Sequence, residues 1–286
     1  MPRKKRSTPK KACPKNRKRK HRESRNTLRE MRRSMQQNFL RDESLARRIV
    51  RDANIGAGDT VVEFGAGAGM LTRLLSRRAG RVLAVEYDPH WAGHLEKRFA
   101  GDENVEVMND DALSVELPGE PFRVVANVPF NITTDILHKL LDDPASSPET
   151  THLLVQSEVA VKHARRSPTT LKTLMWSPWY EFSASMRVPA TSFHPIPDVD
   201  GRLLIAARRK QYLVAPHHKG RFREFARIMF TGRGRIVGER LRQVFTKTQA
   251  RKLAKDIGFD RDDVPSSLTV HQWAEVFAFV ADGNEK

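Results

Sequence analysis

The chain has 286 residues, a formal net charge of +17 and a single cysteine, Cys13, in a basic tail. One cysteine excludes an internal disulfide framework and a cysteine zinc site, no apolar run reaches the length of a membrane span, and the N-terminus lacks the apolar stretch of a secretory leader. A cytoplasmic protein with one large and one smaller domain, binding no metal and no membrane, is the expectation, and a polyanion is its natural partner.

Residues 1–35 carry sixteen Lys and Arg against two Glu. They form an arm expected to be disordered without a partner and to contact RNA. Gln37-Asn38-Phe39-Leu40 then leads into an amphipathic helix from Ser44 to Val50. Thr60 to Phe64 reads as a strand, followed by Gly65-Ala66-Gly67-Ala68-Gly69 and a helix through Leu71, Leu74 and Leu75. Arg81 to Glu86 is a second strand, and Pro89 opens the helix after it. Val105 to Met108 is a third strand, ending at Asn109-Asp110-Asp111. Val124 to Ala126 is a fourth, with a helix from Ile132 to Leu141, and His152 to Gln156 is a fifth. Ser183 to Val188 and Arg202 to Ala207 read as an antiparallel hairpin at one edge. This alternation predicts an α/β fold over residues 36–207, a mostly parallel, Rossmann-like sheet with helices on both faces. Residues 208–256 hold fifteen Lys and Arg against three acids. With helical spacing in Phe222, Phe225, Ala226, Met229 and Phe230, residues 208–286 read as a small helical RNA-binding domain.

The chemistry gathers at strand ends. Glycines at 65, 67 and 69 follow a strand and open a helix, letting the backbone turn tightly and approach a ligand. Their spacing, two residues after Glu63, resembles the first motif of S-adenosylmethionine-dependent methyltransferases, in which the acid answers the cationic methionine part. Glu86, ending the next strand, can accept from ribose hydroxyls, as it could in a dehydrogenase. Asp111 could accept from a cofactor adenine amine while Ala112 donates from its backbone, and Asp110 is the neighbouring candidate for that acid. Asn127-Val128-Pro129-Phe130 ends the fourth strand. Read alone it is a turn; beside a methyl donor it becomes a grip on a flat, amino-bearing base. The Asn127 oxygen and a carbonyl held by Pro129 can accept from the exocyclic amine, and Phe130 can stack on the ring.

These motifs, with Phe193-His194-Pro195-Ile196-Pro197-Asp198-Val199-Asp200, resemble in order the ribosomal RNA adenine N6-methyltransferase family, over residues 36 to 245. The resemblance implies S-adenosyl-L-methionine as cofactor, held by Asn38, Leu40, Gly65, Glu86, Asp111 and Asn127. It implies catalysis by Asn127, Pro129 and Phe130, with Phe130 where many relatives have Tyr. The stretch from Thr170 to Phe182 and the basic tail are similar to the Erm branch. That branch methylates an adenine of 23S rRNA and confers macrolide-lincosamide-streptogramin resistance. A monomer acting on 23S rRNA before ribosome assembly is complete is the resulting expectation. The alternatives are a small-subunit 16S rRNA dimethyltransferase, a non-catalytic RNA-binding protein on the same fold, and a DNA amine methyltransferase, which the flanking motifs fit poorly. Gly201 stands where the family motif often has Ser.

Overall fold

A computed structural model of the chain describes residues 38–282; the basic arm and Gln37 lie outside them. The described residues belong to one compact unit. Its first element, strand β1 (Phe39–Leu40), is where the sequence suggested a lead-in to a helix. The two residues are extended because they pair antiparallel with β8 (Phe193–His194), matching Phe39 to His194 and Leu40 to Phe193. Helix α1 (Glu43–Asp52) starts one turn later, capped by the Asp42 carboxylate, which accepts from the Ser44 and Leu45 amides.

The main sheet has seven strands in the order β4-β3-β2-β5-β6-β9-β7. Strands β2 (Thr60–Phe64), β3 (Arg81–Glu86), β4 (Val105–Asn109), β5 (Phe122–Asn127) and β6 (Thr150–Gln156) are parallel. Their near-continuous Val, Leu and Ala runs are what a sheet covered on both faces requires. Strand β9 (Gly201–Arg208) runs antiparallel beside β6, and β7 (Tyr180–Val188) forms the edge beside β9. The hairpin therefore exists with its second strand inside its first. A 3₁₀ turn (Ala190–Ser192) and β8, with a cis bond between His194 and Pro195, fill the connection.

Helices α2 (Met70–Leu75), α3 (Pro89–Arg98), α4 (Thr133–Leu141), α5 (Ser157–His163) and α6 (Leu171–Trp176) connect these strands. Proline ends β5, since Pro129 offers no amide to the ladder, and a 3₁₀ turn (Phe130–Ile132) hands the chain to α4. After β9 come α7 (Lys219–Thr231), α8 (Val237–Leu241), α9 (Lys247–Ile257) and α10 (Val270–Asp282). One apolar cluster runs from Val62 and Val124 in the sheet through Trp176 and Trp179 to Phe222, Trp273 and Phe277. The helical segment thus shares its core with the sheet. At the bottom of α4 the Asp142 carboxylate accepts from Trp176 Nε1 (2.8 Å), pairs with Arg223 (3.0 Å) and lies 3.1 Å from His138 Nδ1. Elements from both parts of the chain meet on this one side chain.

Candidate active site

All parallel strands end on one side of the sheet, the usual place for a ligand in an open α/β fold. Gly65, Gly67 and Gly69 all have positive φ, at 71°, 52° and 78°. A Cβ on Gly67 would lie 2.8 Å from the Phe39 ring, and one on Gly65 would lie 3.4 Å from the Asn127 carbonyl. The loop therefore lies close against both β1 and the end of β5, which only glycine allows.

Two acids stand beneath this loop. Glu63 is 2% exposed and Glu86 is 1% exposed. Thr72 Oγ1 donates to Glu63 at 2.7 Å, and the Gly67 and Asp88 amides donate to the two Glu86 oxygens at 2.8 and 2.9 Å. Burial pushes the Glu63 carboxyl up to about 8, against the Thr72 hydrogen bond, and the nearby Glu86 adds to the rise. Burial raises Glu86 as well, while its backbone donors oppose the shift. Among the described residues no Lys, Arg or His forms an ion pair with either carboxyl. Two acids buried without a cation suit a ligand that brings its own positive charge and hydroxyls. S-adenosylmethionine is such a ligand, and the glycine loop leaves backbone rather than side chain against it.

Asn127 closes the other side. Its Nδ2 donates to the Asn38 carbonyl at 2.8 Å. A carbonyl can face only the amino half of the amide, so the Oδ1 half is turned elsewhere and stays an acceptor. Phe130, half-buried after Pro129, meets the Phe193 ring edge-on at 6.2 Å. The Pro129 carbonyl accepts from the Ile132 amide at 3.1 Å.

Leu40 is buried, and Asn38 sits where its carbonyl meets Asn127. Asp111 and Ala112 lie just past β4, half-buried, with Asp111 Oδ1 accepting from the Leu113 amide at 3.0 Å. The more exposed Asp110 caps the Asp111 amide at 2.6 Å. Lys139 of α4 donates to the Leu113 carbonyl (3.2 Å) and to the Val115 carbonyl, tying this loop to the helix that follows Phe130. The structure thus brings Asn38, Leu40, Gly65, Glu86, Asp111, Ala112, Asn127, Pro129 and Phe130 to one edge of the sheet.

Sequence reasoning gave no site role to Lys139, Trp91 or Phe193. Trp91 packs on Phe39 at 5.2 Å, and nothing in a helix-face Trp announces that contact. Phe193 had a signal, since it heads the Phe-His-Pro-Ile-Pro segment. Its ring also explains Gly201: a Cβ there would lie 3.2 Å from both Phe193 and Leu154.

The family model described as ribosomal RNA adenine dimethylase matches residues 28–282. The mycinamicin-resistance protein MyrB of Micromonospora griseorubida is 36% identical over 244 residues, covering 84% of this chain and 76% of that protein. A ribosomal RNA small subunit methyltransferase A of Moorella thermoacetica is 32% identical, covering 86% of this chain and 91% of its own. The crystal structure of the 23S rRNA methyltransferase ErmE superposes with a TM-score of 0.77 at 30% identity, covering 84% of this chain and 98% of that one. With that match over nearly the whole described chain, this protein belongs to the ribosomal RNA adenine dimethylase family, the S-adenosylmethionine-dependent rRNA adenine N6-methyltransferases.

Proposed function

We propose that the chain methylates the exocyclic N6 of an adenine in 23S rRNA, the modification that confers macrolide-lincosamide-streptogramin resistance. The observation that carries the chemistry is the Asn127 amide, pinned by the Asn38 carbonyl so that its oxygen remains the acceptor. The branch assignment rests on the segment from Thr170 to Phe182 and on likeness to MyrB and ErmE.

Bound S-adenosylmethionine supplies a methyl already activated on a sulfonium. Asn38, Leu40, Gly65, Glu86, Asp111, Ala112 and Asn127 would hold it, with Glu86 toward the ribose hydroxyls and Glu63 toward the cationic end. The chain's task is then the amine, whose lone pair is delocalised into the adenine ring. Asn127 Oδ1 accepts one amine proton. The Pro129 carbonyl is already engaged by Ile132, which favours the Val128 carbonyl as the second acceptor. Two acceptors push the nitrogen toward tetrahedral geometry and fix its direction. Phe130, braced by Phe193, stacks on the flipped base. The methylated amine sheds its proton to water, so no strong general base is required.

In the division of labour we infer, residues 36–207 hold donor and base while residues 208–286 and the basic arm grip the RNA of a cytoplasmic monomer's substrate before ribosome assembly is complete. Asn127→Ala should lower turnover by about a hundred- to a thousandfold, a larger loss than any it causes in cofactor affinity. Near-normal turnover would overturn the mechanism. Primer extension on rRNA from cells with and without the protein tests the target: a new stop in 23S rRNA supports it, and one in 16S rRNA assigns the chain to the small-subunit reading.

A further inference from the structure

Ile196 is 64% exposed, well above the other exposed large apolar residues of the described chain, and Val199 close by is 42% exposed. Single exposed apolar side chains are ordinary on protein surfaces. This one sits on a loop built to hold it out. Pro195 and Pro197 flank it, and each fixes its own φ. On the incoming side, His194 is paired to Phe39 in the β1–β8 ribbon. On the outgoing side, Asp200 Oδ1 accepts from the Ala190 amide (2.8 Å), its Oδ2 from Arg187 Nε (2.7 Å), and its carbonyl from the Ser157 amide (2.9 Å). The loop is braced at both ends and stiff in the middle.

Its position gives the tip a use. Ile196 is three residues, at most about 11 Å of chain, beyond Phe193, whose ring meets Phe130 edge-on. Arg41, exposed beside the same ribbon, has its amide on the Ser192 carbonyl at 2.8 Å. An enzyme that works on the amine of a base must draw that base out of its stack, leaving a gap between its neighbours. An apolar side chain held rigidly at the rim fills such a gap without competing for hydrogen bonds, as apolar wedges do between nucleic-acid base steps.

We propose that Ile196, seconded by Val199, is a wedge that occupies the space vacated by the target adenine and stacks against the neighbouring bases of the RNA. The role rests on the reading of this site as an RNA adenine methyltransferase. It makes Ile196 a positioning residue that acts on the equilibrium between stacked and flipped base.

The test uses the full chain and an RNA stem-loop that carries the mapped target adenine. Turnover of the wild type on this RNA, measured first, tests the function itself; the comparison between variants tests the wedge. Ile196→Ala removes three side-chain carbons and should lower kcat/KM for RNA about tenfold, the effect expected if about half of that apolar surface is buried against the bases. Ile196→Leu should restore most of it, with cofactor affinity and Tm unchanged in both. A second RNA has abasic sites on both sides of the target adenine, leaving no neighbours to hold it stacked and none for a wedge to support. On that RNA, wild type and Ile196→Ala should turn over at the same rate. Equal rates on the intact RNA, or an undiminished deficit on the abasic one, would overturn the proposal.

Discussion

The strand-end site and the helical segment after Arg208 use charge in opposite ways. In the first, Glu63 and Glu86 are buried, without a basic partner among the described residues, and held by hydroxyl or amide donors alone. In the second, cations dominate, yet several are spent within the fold. Arg221 donates to the Val280 carbonyl, Arg223 clasps Asp142, and Arg240 donates to the carbonyls of Gly234 and Met229. Arg233, Arg235 and Arg242 have exposed side chains; Glu239 and Gln243 bond to the backbone of Arg235 and Arg233, and Glu239 feels the charge of Arg242. The loop that carries Arg233 and Arg235 is held from within by Arg240, Gln243 and Glu239. On the proposed reading, the buried acids serve a small ligand and the exposed arginines a polymer. A count of arginines in the sequence cannot separate the structural ones from those that face outward.

The sharpest way to break this contrast is to remove a buried acid. The folded value of the Glu63 carboxyl is raised from the ordinary 4.5 to about 8. Stability linked to this group is therefore full below about pH 4.5 and is lost as the pH rises through about 8. Without cofactor, Glu63→Gln should raise Tm by about 5–10 °C at pH 8, with a smaller gain at pH 5. The same substitution should weaken cofactor binding, read by calorimetry. A variant no more stable than wild type at pH 8 would mean that the acid is already compensated in the free protein.

A smaller effect is expected at the junction of the two regions. Asp142→Ala removes the acceptor of the buried Trp176 indole and the partner of Arg223. Since the Asp142 side chain is 43% exposed, the loss should be about 1–2 kcal/mol in denaturant unfolding. If the Trp176 indole N–H finds water at no cost, the change will vanish.

The smallest changes in stability separate the two kinds of arginine. Arg233→Ala and Arg235→Ala should each lessen the salt dependence of RNA binding by about one counterion and leave Tm alone. Arg223→Ala should lower Tm by a few degrees, roughly the loss of one partly exposed ion pair and its hydrogen bonds. The reverse pattern, seen in filter binding against salt and in thermal melts, would exchange the assignments.

The sheet was the most legible part of the sequence. Strands such as Thr60–Phe64 and Arg81–Glu86 are apolar runs closed by glycine or acid, and their ends coincide with expectation. The β1–β8 ribbon was not legible, because each strand is two residues long and becomes extended only through the other. Helices α5 and α6, at seven and six residues, lack an apolar spacing as plain as Leu71, Leu74 and Leu75 in the equally short α2. In the site, the glycines and acids could be read from local spacing. The hydrogen bond between Asn127 and Asn38 could not, since it joins residues 89 apart in sequence.

The apolar cluster that joins Val124 to Phe222 and Trp273 bears on how the protein could be taken apart. A graft that exchanged the chain after Arg208 for the equivalent part of a relative would leave Trp179 and Tyr180 facing side chains of the wrong shape, since Trp179 meets Phe222 edge-on at 5.8 Å. Hybrids meant to transfer target choice between family members would need the Trp176–Tyr180 segment to travel with the helices.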